Sequence, residues 1–416
     1  MRLLLTLLIV TQLSFAGGSI FGTQATGDPT VTGGVRSVGL GGAGLAIWDS
    51  VGMHSDNPAA AAYMTGAMLR AGLHTGLYSV SGQSDSDSDS EFGWQTFWLY
   101  LNVHPRYKMG LAIEPIGRSD VRTFTQDSLA FPTDTGIVYH RFENRNVWLG
   151  SNTNIRWNHS LKLTNNIALG ATAGFLTSYH EVQQTLDFPS TGSANGPRDA
   201  VYRDLQRFSG FWGGLSFIVK PSEKLSLGGF WNSEADGDWD VERAVNHGGA
   251  TQFAEITGNR PGSLGLGIGY RWQKRWAVYA DVKQQSWTTK HYGPLFENTD
   301  LKDQDAISAM LGVEKIGATR VTDEGFDRWD FRAGVAYRKQ PWQVISGSKT
   351  SDVFETALSL GLSIPLAEQA GKLHTSLEIG QRNASDVDVT ETFTRFYLQL
   401  DMHEQWFKRE RRKLRN

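Results

Sequence analysis

The feature that most constrains this chain is a two-residue alternation of apolar and polar side chains that recurs about fourteen times along 416 residues. Over Arg395 to Trp406, Phe396, Leu398, Leu400 and Met402 share one face, and Arg395, Tyr397, Gln399, Asp401 and His403 share the other. Trp276, Val278, Ala280 and Val282 oppose Tyr279, Asp281, Lys283 and Gln285 in the same way. Phe331, Ala333, Val335 and Tyr337 oppose Asp330, Arg332 and Arg338, and Leu264, Leu266, Ile268 and Tyr270 oppose Gly265, Gly267 and Gly269. Successive side chains of a strand point to opposite faces, so each segment sets one face in an apolar phase and the other in a polar one. A soluble sandwich also alternates, but its outward face is the polar one and its apolar faces meet in one core.

The segments lie near 64–80, 92–104, 106–117, 146–160, 166–185, 206–220, 224–240, 261–272, 275–289, 305–317, 328–340, 352–365, 371–382 and 391–407. Gaps after the even-numbered segments are mostly short (Pro105, Leu161–Asn165, Pro221–Glu223, Gln273-Lys274, Ala367–Ala370), with 318–327 the exception. Gaps after the odd-numbered ones are longer and polar: 81–91, 118–145, 186–205, 241–260 and 290–304. Short turns on one rim and long loops on the other belong to transmembrane antiparallel β-barrels, which also need an even strand number in a single bacterial chain. The expected fold is therefore all-β, a barrel of about 14 strands over 64–407.

Met1-Arg2 followed by LLLTLLIV, with Ser14 and Ala16 as small residues, has the layout of a secretory leader cleaved near Ala16. Its apolar run is far short of the ~20 residues of a spanning helix. Removing Arg2 with the leader leaves 39 basic and 43 acidic residues, a net charge of −4, which argues against a nucleic-acid partner. There is no cysteine, so neither disulfides nor a zinc–cysteine site can stabilise the chain. The 46 glycines and 14 tryptophans suit tight lumen positions and interfacial girdles.

Between the leader and the first strand lies Arg36 to Ala62, RSVGLGGAGLAIWDSVGMHSDNPAAAA, too rich in glycine and alanine for a strand. Arg36, Gly39, Gly41-Gly42-Ala43 and Asn57-Pro58-Ala59 resemble the N-terminal hatch of FadL-type outer-membrane transporters of hydrophobic compounds. FRAGVAYR (Phe331–Arg338), ETALSLGLSIPL (Glu355–Leu366) and the terminal ETFTRFYLQLDMHEQWFKR resemble the late strands of that family, which includes PorV-like relatives. The middle, 81–325, matches in rhythm only. The chain departs from the pattern after Phe407, where a basic tail, 408–416, follows and is expected in the periplasm.

The resemblance implies a glycine-rich hatch, 17–63, inside the lumen of a monomeric barrel in the outer membrane of a Gram-negative-type bacterium. It implies passive, plug-gated passage of long-chain fatty acids or other hydrophobic compounds, inward or sideways through a gap in the wall. The surrounding partners it implies are outer-membrane lipids, lipopolysaccharide and the barrel-assembly machinery. Plug and gating residues are Arg36, Gly39, Gly41, Gly42, Asn57, Pro58 and Ala59. Glycine permits close packing and positive φ, Pro58 fixes one torsion, and Asn57 can cap or turn the local backbone. An access surface for substrate is expected on the outer loops, from Phe124, Phe131, Phe142 and Phe188, with Arg141, Arg145 and Arg203 as partners for a carboxylate head group.

SDSDSDS at 84–90 begins like a calcium loop but lacks the glycine and glutamate such a loop requires, so a solvated outer loop is expected there. The ten histidines show no HExxH spacing, and no G-x-S-x-G elbow occurs, so no enzyme, metal or cofactor is expected. The alternative reading on the same scaffold is a secretion-accessory barrel, PorV-like, that binds protein partners and carries no small molecule. A porin for polar solutes fits less well with a plugged lumen.

Overall fold

The computed structural model describes residues 18–23, 27–49, 52–82, 86–133, 136–189, 199–246, 251–288, 291, 303–318, 325–346, 349–366 and 371–404. The leader (1–16) and the basic tail (408–416) lie outside these residues.

Fourteen strands form one antiparallel sheet that closes on itself. They are β1 (Ala67–Ser81), β2 (Ser86–His104), β3 (Tyr107–Thr133), β4 (Gly136–Lys162), β5 (Ile167–Asp187) and β6 (Ala200–Val219). Next come β7 (Leu225–Asn232 continued by Ala235–Val245) and β8 (Thr251–Arg260 continued by Ser263–Gln273). The ring is completed by β9 (Trp276–Trp287), β10 (Gln304–Lys315), β11 (Asp330–Ser346), β12 (Lys349–Pro365), β13 (Gly371–Ala384) and β14 (Val389–Glu404). Each pairs with its neighbour in sequence, and β14 pairs with β1 from Thr390↔Ser81 to Glu404↔Ala67, which seals the barrel. The two interrupted strands break at the same level, at 233–234 and 261–262, where Pro261 has no N–H to give to a ladder.

The alternation fixes which way each strand faces. Leu264, Leu266, Ile268, Val282, Val335, Leu358, Leu360, Phe396 and Met402 all point outward and are exposed. Their neighbours Asp281, Arg332, Glu355, Ser359, Arg395, Gln399 and Asp401 point inward and are buried. Trp272 and Trp276 stack at 5.9 Å beside the two-residue turn between β8 and β9, as in an interfacial aromatic girdle.

The long outer loops expected over 81–91, 118–145 and 241–260 are largely strand instead; of 186–205 only 186–187 and 200–205 are strand, and 190–198 and most of 290–304 lie outside the described residues. β3 and β4 have 27 residues each and leave only 134–135 between them, and Ser86–Ser90 of the acidic run is the start of β2. About 9–11 residues suffice for a tilted strand to cross a bilayer, so these hairpins project well beyond it. Both faces are wet there, apolar alternation fades, and the sequence reads as loop.

One apolar cluster, Leu176, Phe208, Ala235 and Trp239, lies within the wall, and the others form where the N-terminal segment meets its inner face. Ala59 to Ala62 and Met64 pack on Trp98, Tyr100, Ala112, Ala168 and Ile218. Leu40, Ala43 and Ile47 pack with Tyr78, Tyr279, Met310 and Phe393, and Phe21 with Trp287, Trp342 and Val353.

Candidate functional site

The N-terminal segment contains a single helical turn, Val35–Val38, and a 3-10 turn, Pro58–Tyr63, with Pro58 in the first turn where its missing N–H costs nothing. Between them the backbone reverses through Gly41 and Gly42, at φ 73° and 97°, a region closed to most side chains. Close approach matters as much as torsion. A Cβ on Gly334 would stand 2.1 Å from the Leu40 carbonyl carbon, and one on Gly39 would stand 2.9 Å from the Gly361 Cα.

Polar side chains on the inner face of the strands grip this backbone. Arg36 makes a paired contact to Glu314, Nε to Oε1 at 3.0 Å and Nη2 to Oε2 at 2.8 Å, while Nη1 donates to Asp49 at 2.5 Å. Asp281 accepts the Gly44 and Leu45 amides at 2.7 and 2.9 Å. Gln399 accepts the Val35 amide, Ser376 donates to the Val35 carbonyl, Ser226 to the Ala46 carbonyl and Ser160 to the Pro58 carbonyl. The Ala59 amide donates to Ser216 Oγ at 3.1 Å. Asn57 does not cap the following turn; its Nδ2 reaches the Leu45 and Phe217 carbonyls at 2.7 and 3.0 Å, joining two parts of the segment to β6.

Charge is concentrated at two further anchors. Asp28 accepts from Arg382 at 2.6 Å and Arg395 at 3.1 Å, and Arg382 also meets Glu355 and Glu391. Burial raises the Asp28 pKa, with both arginines opposing it. Asp56 accepts from Lys283 at 2.9 Å, Arg156 at 3.4 Å and Thr32 at 2.7 Å. Burial alone would raise the Asp56 pKa, but Lys283, His54 and Arg156 together hold it below the usual range. His54, whose Nδ1 accepts the Asp56 amide, is pushed down to about 3 by burial and then by Lys283.

Above these anchors lies a cavity of about 260 Å³ lined among others by Thr30, Val31, Ile116, Phe230, Trp287 and Met310. Five cations line it, and each is engaged: Lys283 and Arg156 with Asp56, Arg338 with Glu378, Lys339 with Asp352, and Arg260 with two neutral acceptors, the His291 carbonyl and Ser178 Oγ.

The wall beside this cavity is incomplete. β2 and β3 pair only from Phe97↔Ile113 down to His104↔Tyr107. Above that level, among the described residues, 86–96 pairs only with β1 and 114–133 only with β4, apart from a two-residue bridge to the N-terminal segment. Both strands carry an extra residue at the same height, Gln95 opposite the Gly72–Leu73 step and Ile116 opposite the Thr153–Asn152 step. A bulge bends its strand and strengthens the local twist, so two at one level part the strands. Pro115, next to one of them, has no N–H for a ladder. The bridge is Asp28↔Arg118 and Pro29↔Gly117, extended by the Thr30 amide donating to the Ile116 carbonyl at 3.2 Å. A second cavity, of about 250 Å³, opens at the break and is lined by Thr30, His74, Trp94, Pro115, Arg118 and Tyr179 among others.

The residues expected on an outer access surface fall into separate pairs on the projecting hairpins. Phe142 and Phe188 stack at 5.4 Å, and Arg145 lies 6.0 Å over Phe124, its strand partner. Arg145 pairs with Glu143 and Arg203 with Glu181, so neither offers a bare cation, whereas Arg141 is exposed. The side chain of Phe131 is outside the described residues. Sequence reasoning passed over Arg118, Asp28, Asp281, Glu314 and Arg382. The available signal was a full charge at mid-strand or inside the glycine-rich segment, each of which needs a buried partner.

No curated protein sequence matches the chain. Among solved structures, it is similar to a Pseudomonas aeruginosa FadL homologue, with a TM-score of 0.60 and 14% identity over 91% of this chain and 99% of that one. It is also similar to the Ralstonia pickettii toluene transporter TbuX, with 0.57 and 16% over 90% and 99%. For the Pseudomonas putida toluene transporter TodX the values are 0.56 and 14% over 90% and 98%. At these identities the likeness is one of fold, and it extends along the whole barrel. The BamG family model matches residues 3–413, and the chain therefore belongs to the BamG family.

Proposed function

We propose that this protein is an outer-membrane channel for hydrophobic compounds, long-chain fatty acids among them, with the N-terminal segment, 18–64, as its lumen plug. The observation that carries this reading is the parted wall between β2 and β3, with a cavity on each side of Thr30. A water-filled pore has no use for a sideways break, whereas an apolar solute leaving through one meets lipid instead of water. The solved proteins of the same fold, a FadL homologue and two toluene transporters, are consistent with such cargo. Passage is passive and requires a solute that binds the displaced plug better than the seated one.

Reconstituted into vesicles, the protein should speed uptake of a long-chain fatty acid or a monocyclic aromatic over protein-free vesicles. Uptake of neither would reject the reading. Deleting 36–62 should in addition release a polar dye from the vesicles, and unchanged retention would remove the plug from the proposal.

One observation favours a second reading, the non-transporting partner-binding barrel. Arg36, Asp28 and Arg382 are buried and paired, which pins the segment more firmly than a mobile plug needs. A protein partner co-purifying in mild detergent, together with no uptake, would support that scaffold role.

A further inference from the structure

We propose that Arg118 is the bolt of the side passage between β2 and β3, and that Gly93 is the socket into which it slides; this rests on the channel reading above. Arg118 stands on β3 at the level where the ladder to β2 has ended. Its Nη1 nevertheless crosses the break and donates to the Phe92 carbonyl at 3.0 Å, with Glu91 Oε1 at 3.8 Å. Where the backbone ladder stops, a side chain supplies the cross-strand hydrogen bond.

The socket is specific to glycine. A Cβ built on Gly93 would lie 1.8 Å from Arg118 Nη1, closer than any real contact, so any other residue there expels the guanidinium. Glu91 is itself fixed, accepting from Tyr78 at 2.9 Å and lying 2.6 Å from His74 Nε2. The β1–β2 side of the latch is therefore rigid and the moving part is the arginine.

The backbone of Arg118 carries the other closure. It pairs with Asp28, and a Cβ on Gly27 would strike it at 2.6 Å, so the strap Gly27–Thr30 lies flush on β3. Thr30 lines both cavities and is the partition between lumen and wall break. With Arg118 bolted across to Phe92, strap, β3 and β2 are one closed surface. With Arg118 withdrawn, the cross-strand hydrogen bond to Phe92 is lost. Besides β3, the strap then keeps only an indirect tie to β2 among the described contacts, through Arg395, Tyr78 and Glu91, and the two cavities can merge into a route from lumen to membrane.

The test uses the absence of native cysteine. Thr30→Cys in the full chain, reconstituted in vesicles, is labelled with a lipid-soluble maleimide, and uptake of a monocyclic aromatic is measured on the same vesicles. Arg118→Ala and Gly93→Ala should each raise the labelling rate about tenfold, the scale of losing one charge-assisted hydrogen bond. Arg122→Ala, at a side chain 59% exposed, should leave it unchanged. Unchanged labelling in both bolt variants, or a rise in Gly93→Ala alone, would overturn the proposal. Labelling that rises without faster uptake would keep the bolt and sink the transport reading; faster uptake with flat labelling would do the reverse. If Arg118→Ala does not assemble, Arg118→Gln, too short to reach Phe92, replaces it with the same expectation.

Discussion

The barrel wall is built in two ways, and the contrast between β10–β14 and β2–β3 shows what each is for. From β10 to β14 the ladders are nearly continuous, with twelve pairs between β12 and β13 and fourteen between β13 and β14. Their inner faces carry interlocked carboxylates and arginines: Glu314 between Arg36 and Arg332, and Glu355, Asp28 and Glu391 around Arg382. On the other side of β1, β2 and β3 share only a short ladder, and a strap of two bridge residues and one arginine complete the surface. One arc holds the N-terminal segment in place; the other uses that segment as part of the wall. Asp28 connects them, because the residue that pairs on β3 is also the one clamped by Arg382 and Arg395. Movement at the break is thereby referred to an anchor on the adjoining arc, one strand away across β1.

The sharpest way to break the contrast is to remove the anchor. Arg382→Ala would remove the cation shared by three buried carboxylates, leaving Asp28 with Arg395, Glu355 with Arg338 and Glu391 with Ser19. It should cost about 3–5 kcal/mol, read as a lower urea midpoint of the reconstituted barrel. A loss below about 1 kcal/mol would mean that the rigid arc is not held by charge.

A smaller effect comes from acid. The folded pKa of His54 lies at about 3, below its ordinary 6.5, so the unfolded chain binds the extra proton between those values. This stability is complete above pH 6.5 and is lost as pH falls toward 3, with about 2–3 kcal/mol gone by pH 4.5. His54→Gln should flatten that part of the pH profile; an equally steep decline in the variant would assign it to the carboxylates alone.

The smallest effect is expected at Asn57. Asn57→Ala removes two hydrogen bonds that tie the 3-10 turn to Leu45 and β6, and should cost about 1–2 kcal/mol. Protease sensitivity within the segment should rise while the β10–β14 ladders keep their amide-exchange protection. Loss of protection in both regions would show that the two arcs are one cooperative unit.

Much of this architecture was legible in the chain. Every one of the fourteen alternating segments is a strand, and the faces of Trp276–Val282, Phe331–Tyr337 and Phe396–Met402 point as the alternation requires. Gly41 and Gly42 adopt the positive φ expected of them. The heights of the projecting hairpins were not legible, because outside the membrane both strand faces meet water. Nor was the role of Asn57, whose side chain reaches a carbonyl 160 residues away instead of its own turn.

Alternation and composition alone specify a β-barrel, the outward face of each strand, and a glycine-rich segment before the first strand. Those are local properties, set by neighbours one or two residues away. Tertiary structure alone decided where the wall parts and what seals it. That outcome depends on two bulges falling at the same height on adjacent strands, and on Asp28 finding arginines more than 350 residues along the chain. Register between distant strands is a property of the closed ring, and no single stretch of sequence contains it.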